Sequence, residues 1–349
     1  MRRMRDRVRN LSSRNLANRI RVEIDSRLRK SVVTSYPIGL IVEPCNYCNL
    51  RCPLCPTGQR LPTPKGTMKL ETFTRIIDEL HPYVGQLNLY YLGEPLLCEH
   101  LHEMISYAHQ HKIRVSTSSN LTILGEEKAE ELIKSGLDQL IVSLDGVSQE
   151  TYEKYRIGGD FNEVIKNIHL LRKKKRDLRN PRPEIQIQFV MFKHNESDIP
   201  KAEELAKSLG VDIYFRQGAL GGKGQSPPLT KDIALARKWL TSKKEYQTEY
   251  DYFSRKPYIK DEPCGYLWKV ATINWDGSVF PCCWVFENRY SFGNIHEQSF
   301  RTIWNNEFFQ SSRRLFSRRK PSFSKSEAYT HETICYQCKM FKHVLNDPC

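Results

Sequence analysis

The stretch Cys48-Asn49-Leu50-Arg51-Cys52-Pro53-Leu54-Cys55 decides how this chain is read. Three thiols fall in the order Cys-x3-Cys-x2-Cys, just after the apolar run Ile38-Gly39-Leu40-Ile41-Val42. A cubane iron–sulfur cluster has four irons, each usually held by one cysteine, so three cysteines would leave one iron open to an outside ligand. Zinc is the other reading. A closed structural zinc site takes four ligands, usually two short pairs, and the triplet is one short.

The chain around this stretch is long enough, at 349 residues, for one large domain and a smaller one. It has no apolar run of the length a membrane helix needs and no apolar signal segment at its start. Eleven cysteines are an odd number, and eight fall in tight groups at 45/48/52/55, 282/283 and 335/338. Clustered thiols without a signal sequence read as metal ligands in a reducing compartment, so a cytoplasmic protein is expected.

The formal charge of +14 is concentrated at the ends. Basic residues crowd the first thirty positions, from Arg2 to Lys30, and recur at Arg313-Arg314 and Arg318-Arg319-Lys320. Neither patch interleaves aromatics for base stacking, so nucleic acid is not the expected partner. Contact of the basic N-terminus with an anionic membrane surface stays open, beside the plainer reading of a solvated arm. Leu16, Ile20, Ile24 and Leu28 recur every four residues and predict one apolar helical stripe, expected to dock on the protein's own body.

From 38 to 217, strand-like runs (38–43, 86–92, 113–117, 139–144, 185–192, 211–216) alternate with helical patterns (69–82, 101–111, 125–136, 161–175, 198–208). Six such repeats imply parallel β/α units. In that arrangement the cysteine triplet, following the first strand, falls at the C-terminal ends of the strands, where loop groups are free to bind ligand. Four regions are expected: a basic arm (1–35), the β/α region (36–217), a linker and helical connector (218–260) and a cysteine-rich unit (261–349).

The triplet closely resembles the signature of the radical S-adenosylmethionine (SAM) superfamily. The resemblance implies an α/β fold, a partial (β/α)6 barrel with a small C-terminal cysteine-rich SPASM/twitch domain. It implies Cys48, Cys52 and Cys55 on a [4Fe–4S] cluster whose open iron chelates SAM, with Leu54 near the adenine. Tyr91-Leu92-Gly93-Glu94-Pro95 stands where the family has Gly-Gly-Glu, so Gly93 and Glu94 would grip the SAM ammonium, with Leu92 a departure. Ser118, in Ser116-Thr117-Ser118-Ser119-Asn120, and Ser143, in Ser143-Leu144-Asp145-Gly146, would contact SAM. Arg156, in Tyr155-Arg156-Ile157-Gly158-Gly159, would pair with its carboxylate. Gln186 and Gln188 share one face of the fifth strand, which makes Gln188 a substrate-contact candidate or an outward-facing residue.

The C-terminal set, Cys264, Cys282 in Gly277-Ser278-Val279-Phe280-Pro281-Cys282, and Cys335-x2-Cys338, resembles the SPASM/twitch extension. It would ligate one auxiliary [4Fe–4S] cluster, four thiolates suiting zinc equally well. Sulfatase-maturating members carry an aspartate general base after the cysteine equivalent to Cys282; this chain has Cys283, a candidate catalytic hydrogen-atom donor or a small apolar residue. The family's chemistry is one-electron cleavage of SAM to a 5′-deoxyadenosyl radical that abstracts hydrogen from substrate carbon. Its reductant is an external carrier such as flavodoxin or ferredoxin. An auxiliary cluster that accepts the second electron makes dehydrogenation the favoured expectation, and its substrate is expected to be a small molecule or glycoside, since thirty-five residues are few for a leader-binding module. Peptide maturation comes second, a Cys283-dependent epimerase third, and a zinc or iron–sulfur nucleic-acid-binding protein is the non-enzyme rival.

Overall fold

The computed structural model describes residues 12–59, 64–218, 237–241, 243, 250–251, 256–257, 264–316 and 333–338. The basic run Arg2–Arg9, most of the connector, Arg318-Arg319-Lys320 and Cys349 lie outside the described residues.

Six parallel strands appear in sequence order: β1 (Gly39–Val42), β2 (Gln86–Asn88), β3 (Arg114–Ser119), β4 (Gln139–Ser143), β5 (Glu184–Met191) and β6 (Asp212–Gln217). Helix α1 (Ser13–Arg27) precedes them. Between them lie α2 (Leu70–Leu80), α3 (Leu101–Gln110), α4 (Glu126–Lys134), α5 (Gln149–Glu153), α6 (Phe161–Asp177) and α7 (Ile199–Leu209). Local chemistry sets their ends. Asp160 caps α6 by accepting from Asn162 N and Glu163 N, and Gly210 closes α7 at φ 60°. A short ribbon follows, β7 (Tyr250–Asp251) with β8 (Lys256–Pro257).

The C-terminal unit extends the same sheet. After α8 (Tyr266–Lys269), β9 (Val270–Ile273) pairs in parallel with β1, and β10 (Ser278–Phe280) and β11 (Gly293–Asn294) continue antiparallel. The order is β11-β10-β9-β1-β2-β3-β4-β5-β6, an open and mostly parallel α/β sheet. Gly277, at φ 81°, makes the β9–β10 turn, a backbone region that side chains disfavour. Helices α9 (Phe300–Trp304) and α10 (Glu307–Arg314) complete the unit.

Period-two alternation splits the sheet's residues between two faces. Leu40 and Val42, Leu87, Val115, Leu140 and Val142, Ile185 and Ile187, and Ala271 and Ile273 enter the main apolar core with the helices. The opposite, inner face carries Ile41, Asn88, Ser116, Ser118, Ile141, Ser143, Gln186, Gln188, Tyr214, Arg216 and Thr272. That face is mostly polar, with Ile41 and Ile141 the apolar exceptions among these residues.

Two readings of the basic regions change. Leu16, Ile20, Ile24 and Leu28 are exposed, between 47% and 61%, and α1 docks through Asn15, Asn18, Val22, Asp25 and Ser26 instead. Directional hydrogen bonds from the amides and the aspartate choose that face over the apolar one. Arg313 is no surface charge. Fully buried, it donates to the carbonyls of Leu267 (2.8 Å), Trp304 (2.8 Å) and Ser31 (3.1 Å) and lies over the Trp304 ring. It ties the N-terminal segment to the C-terminal unit, as do Trp268 Nε1 on Lys30 O and the paired bonds between Asn305 and Val33.

An Arg313→Ala substitution strands the buried carbonyls of Leu267 and Trp304 and the partly buried one of Ser31, and opens a cavity. The expected loss is about 3 kcal/mol of folding stability, measured by thermal or urea unfolding.

Candidate active site

The loop carrying Cys48, Cys52 and Cys55 leaves the end of β1. It is held by Arg51 N on Ile157 O and by a turn from Cys55 N to Cys52 O, 3.0 and 3.1 Å. None of the three thiols is in a disulfide. Two donors already point at sulfur: Leu50 N lies 3.4 Å and Asn120 Nδ2 3.6 Å from Cys48 Sγ. Burial pushes the Cys48 thiol up to about 12 and the Cys52 thiol to about 11, and neighbouring thiols add to both. Thiolates crowded in a buried site need a cation to hold them, and iron or zinc fits that need. Among the described residues neither thiol set is drawn into a closed metal cage.

Gly93 is required by its surroundings, since a Cβ there would stand 2.0 Å from Cys45 O. Next to it, the buried Glu94 carboxylate accepts from Ser119 Oγ (2.7 Å), Asn120 N (2.8 Å) and Leu96 N (3.1 Å). Burial raises its pKa, and these three donors offset part of the rise. Glu94 N in turn bonds Tyr47 O, which keeps the carboxylate strand end against the cysteine loop.

Ser118 and Ser143 face each other across β3 and β4 with their Oγ atoms 3.5 Å apart. Arg156 is no surface ion-pair partner. Its Nε and Nη2 both reach Asp145 Oδ2 at 2.6 Å, while Nη1 lies 3.9 Å from Cys52 Sγ. Burial would lower the Arg156 pKa, but the Asp145 carboxylate, joined by Cys52, Tyr155 and Tyr152, outweighs that and holds it well above its ordinary value. Leu54 packs with Leu50, Cys52, Tyr155, Phe192, Trp239 and Leu240, an aromatic wall against the cysteine loop. Gln188 accepts from Tyr214 Oη at 2.6 Å, and beside it Ser116, Gln139 and Gln186 form a side-chain chain of 3.3 and 2.9 Å. The two glutamines of β5 thus face inward.

Cys264, Cys282, Cys335 and Cys338 gather from α8's entry, the end of β10 and the turn Ile334–Gln337. Burial pushes Cys264 up to about 12, with Cys338 adding to it, and raises Cys282 and Cys335 further. Cys283 Sγ donates to Tyr266 Oη at 3.1 Å. Cys45 and Cys98 are buried in the main core, as small apolar residues are.

One group was missed. Glu43, directly after β1, is 1% exposed; its Oε1 accepts from Leu92 N at 3.2 Å and its Oε2 has no partner. Thr272 Oγ1 and Asn274 Oδ1, on and just past the adjoining strand β9, are likewise unpartnered. Glu43 lines a narrow cleft with Asn46, Thr57, Lys65, Asn274 and Trp275. Burial pushes its pKa up to about 8. The available signal was a carboxylate ending an otherwise apolar strand five residues before Cys48. Tyr91 links this cleft to the C-terminal thiols. Its hydroxyl bonds Val285 O, and burial raises its pKa first, followed by Cys283, Cys282 and Glu43.

A family model described as the radical SAM superfamily matches residues 42–211, and one described as an iron–sulfur cluster-binding SPASM domain matches 264–339. Among curated proteins, the chain is 26% identical over 297 residues to a tungsten-containing aldehyde ferredoxin oxidoreductase cofactor-modifying protein of Pyrococcus furiosus, covering 77% of this chain and 81% of that one. It is 25% identical over 287 residues to a PqqA peptide cyclase of Granulibacter bethesdensis (77% and 74% covered). It is 25% identical over 327 residues to the antilisterial bacteriocin subtilosin biosynthesis protein AlbA of Bacillus subtilis (89% and 70%). The structure of Streptococcus suis SuiB bound to S-adenosylmethionine shares the fold, with TM-score 0.62, 16% identity and 93% and 75% coverage.

A carboxyl whose folded pKa exceeds its unfolded value stabilises the fold below the unfolded pKa, here 4.5, and loses that stabilisation as pH rises toward about 8. Glu43→Gln should therefore match wild type in acid and exceed it in thermal stability at pH 8. Gly93→Ala should lower iron per chain on reconstitution, read by metal analysis, because the clash falls on the loop that carries the thiols.

Proposed function

Because this chain belongs to the radical SAM superfamily and ends in an iron–sulfur cluster-binding SPASM domain, we propose that it is a radical enzyme that modifies a peptide. The observation that carries this reading is the recurrence of peptide-acting relatives, a PqqA peptide cyclase and a bacteriocin biosynthesis protein, over most of the chain. The shortness of the N-terminal arm, which favours a small molecule or glycoside, is a weaker ground than this recurrence. When bound, a [4Fe–4S] cluster with one open iron supplies, together with SAM, the means to remove a hydrogen atom from an unactivated carbon.

The protein's own residues supply the rest. Cys48, Cys52 and Cys55 would hold the iron, and Asn120 and Leu50 N would temper the charge on sulfur. Glu94 and Gly93 form the anionic, close-approach corner suited to an ammonium; Ser118 and Ser143 are hydroxyls suited to a ribose. Arg156 keeps its charge through Asp145 and offers Nη1 beside Cys52. Leu54, Tyr155, Phe192 and Trp239 cover the buried Cys52 side of the loop, and an apolar wall there helps to protect a reactive radical from quenching. Cys264, Cys282, Cys335 and Cys338 would hold one auxiliary cluster.

Substrate recognition falls to the inner face. Gln139, Gln186 and Gln188 carry side-chain amides, whose donors and acceptors complement peptide groups. When the substrate radical is oxidised, its electron would pass to the auxiliary cluster held by Cys264, Cys282, Cys335 and Cys338; that oxidation also releases a proton, and the position where an aspartate would take it holds Cys283. Glu43 is the carboxyl available for that task, with one oxygen unpartnered and a pKa near working pH. A second reading, epimerisation, rests on the Cys283–Tyr266 bond: a thiol held by a phenol is suited to returning a hydrogen atom to the substrate radical.

Anaerobic reconstitution with iron, sulfide, reductant and SAM should give 5′-deoxyadenosine, and Cys52→Ser should give none; zinc alone on metal analysis would sink the reading. Incubation with a pool of small cellular peptides should yield species lighter by two hydrogens. Glu43→Gln should keep SAM cleavage and lower that product on the order of 100-fold. Solvent deuterium entering a peptide without mass loss, and its disappearance in Cys283→Ser, would favour epimerisation.

A further inference from the structure

We propose that α1 is an interfacial helix through which the enzyme docks on an anionic membrane surface. Seven large apolar side chains are exposed among the described residues, and five of them, Leu16, Ile20, Ile24, Leu28 and Val32, belong to this one segment. A four-residue spacing winds about 40° per step, so the four helical members form a band roughly 120° wide, the width of a buried helix face. Here that band points outward.

The helix cannot roll to hide it. Asn15 Nδ2 donates to Tyr83 O at 2.8 Å, and Asn18 exchanges two bonds of 2.9 Å with the Tyr36 backbone. Asp25 Oδ2 accepts from Ser35 Oγ (2.8 Å), Thr34 N and Ser35 N. Rotation to bury the stripe would break all of these, carrying the amides and the carboxylate outward and leaving their partners at Tyr83, Tyr36 and Ser35 unpaired in the seam.

Charge selects the occupant. Arg14 and Arg21 are exposed beside the band, and Arg27 lies within it with its side chain 77% exposed. The one partly exposed acid, Glu23, is engaged by Arg27 at 2.6 Å and Lys269 at 3.3 Å. The sequence before the helix adds Arg2, Arg3, Arg5, Arg7 and Arg9 against Asp6 alone. Long arginine side chains flanking aliphatic ones can lay their stems along acyl chains and their heads among phosphates. A second copy fits less well, because a face-to-face pair would oppose like charges. The band also lacks the aromatic anchors that dominate protein interfaces.

Orientation follows from the fold. The anchors of α1 at Tyr36, Tyr83 and Lys269 immediately precede β1, β2 and β9, whereas the Cys48–Cys55 loop leaves the opposite end of β1. A membrane-docked enzyme therefore opens its cysteine loop away from the bilayer, and substrate reaches it from water.

The test is co-sedimentation of the anaerobically reconstituted full chain with vesicles of phosphatidylcholine alone or mixed equally with phosphatidylglycerol. Binding is expected to the mixed vesicles, to weaken with added salt, and to be absent for phosphatidylcholine alone. The triple variant Ile20→Ser, Ile24→Ser, Leu28→Ser should lose at least ~10-fold in partitioning, with circular dichroism and 5′-deoxyadenosine formation unchanged. Should that variant misfold, Arg14→Gln, Arg21→Gln, Arg27→Gln must show the same loss. Undiminished binding in the correctly folded variants, no binding by wild type, or a wild-type dimer that the serine variant dissolves would overturn the proposal.

Discussion

The pairing of β1 with a parallel partner on each side governs this molecule. β2 bonds one edge and β9, from a segment more than two hundred residues later, bonds the other. A strand held on both edges cannot slip in register without turning its side chains to the wrong face. Leu40 and Val42 are thereby fixed toward the helices and Ile41 toward the interior. The loop that follows inherits that precision, so Cys48, Cys52 and Cys55 start from a point set by two ladders. The same pairing brings Asn274 and Trp275 beside Glu43, so the cleft exists only because the C-terminal unit shares the sheet.

Burial then does two opposed things. It shields Cys52 and Leu54 from water through Leu50, Tyr155, Phe192 and Trp239, and it makes every buried charge there expensive. The structure answers with pairing where it can: Glu94 with three donors, Asp145 with the fork of Arg156 and the amide of Val190. Where it does not, at Glu43 Oε2, Thr272 Oγ1 and Asn274 Oδ1, acceptors remain unmatched on neighbouring strands. Unmatched buried acceptors weaken a fold. Such groups are tolerable where a ligand completes them, and their position beside a cleft is consistent with that.

Legibility in the sequence followed distance along the chain. The six β/α repeats were readable because alternation and helical periodicity are local: the run at 185–192 is the strand Glu184–Met191, and the pattern at 161–175 is the helix Phe161–Asp177. The thiol triplet was readable for the same reason. Arg156 was readable as a residue type in a motif, but its bond to Asp145 joins the end of one strand to a turn eleven residues on, and spacing alone leaves that partner open. Glu43 was passed over because nothing within the sequence marks an oxygen as unpartnered. That property depends on β9, which arrives from the far end of the chain.

Helix α1 shows how periodicity can be right and its consequence wrong. The stripe Leu16, Ile20, Ile24 and Leu28 forms, yet the helix docks by its other side. Apolar burial is non-directional and would accept many seatings of the helix. The bonds of Asn15, Asn18 and Asp25 accept one, and each would forfeit a satisfied polar group if the helix turned. Where three such anchors point the same way, they set the orientation and the apolar stripe is left to face outward. A hydrophobic pattern therefore predicts that a helix has a face to cover, and the polar residues opposite it decide whether the protein's own body covers it.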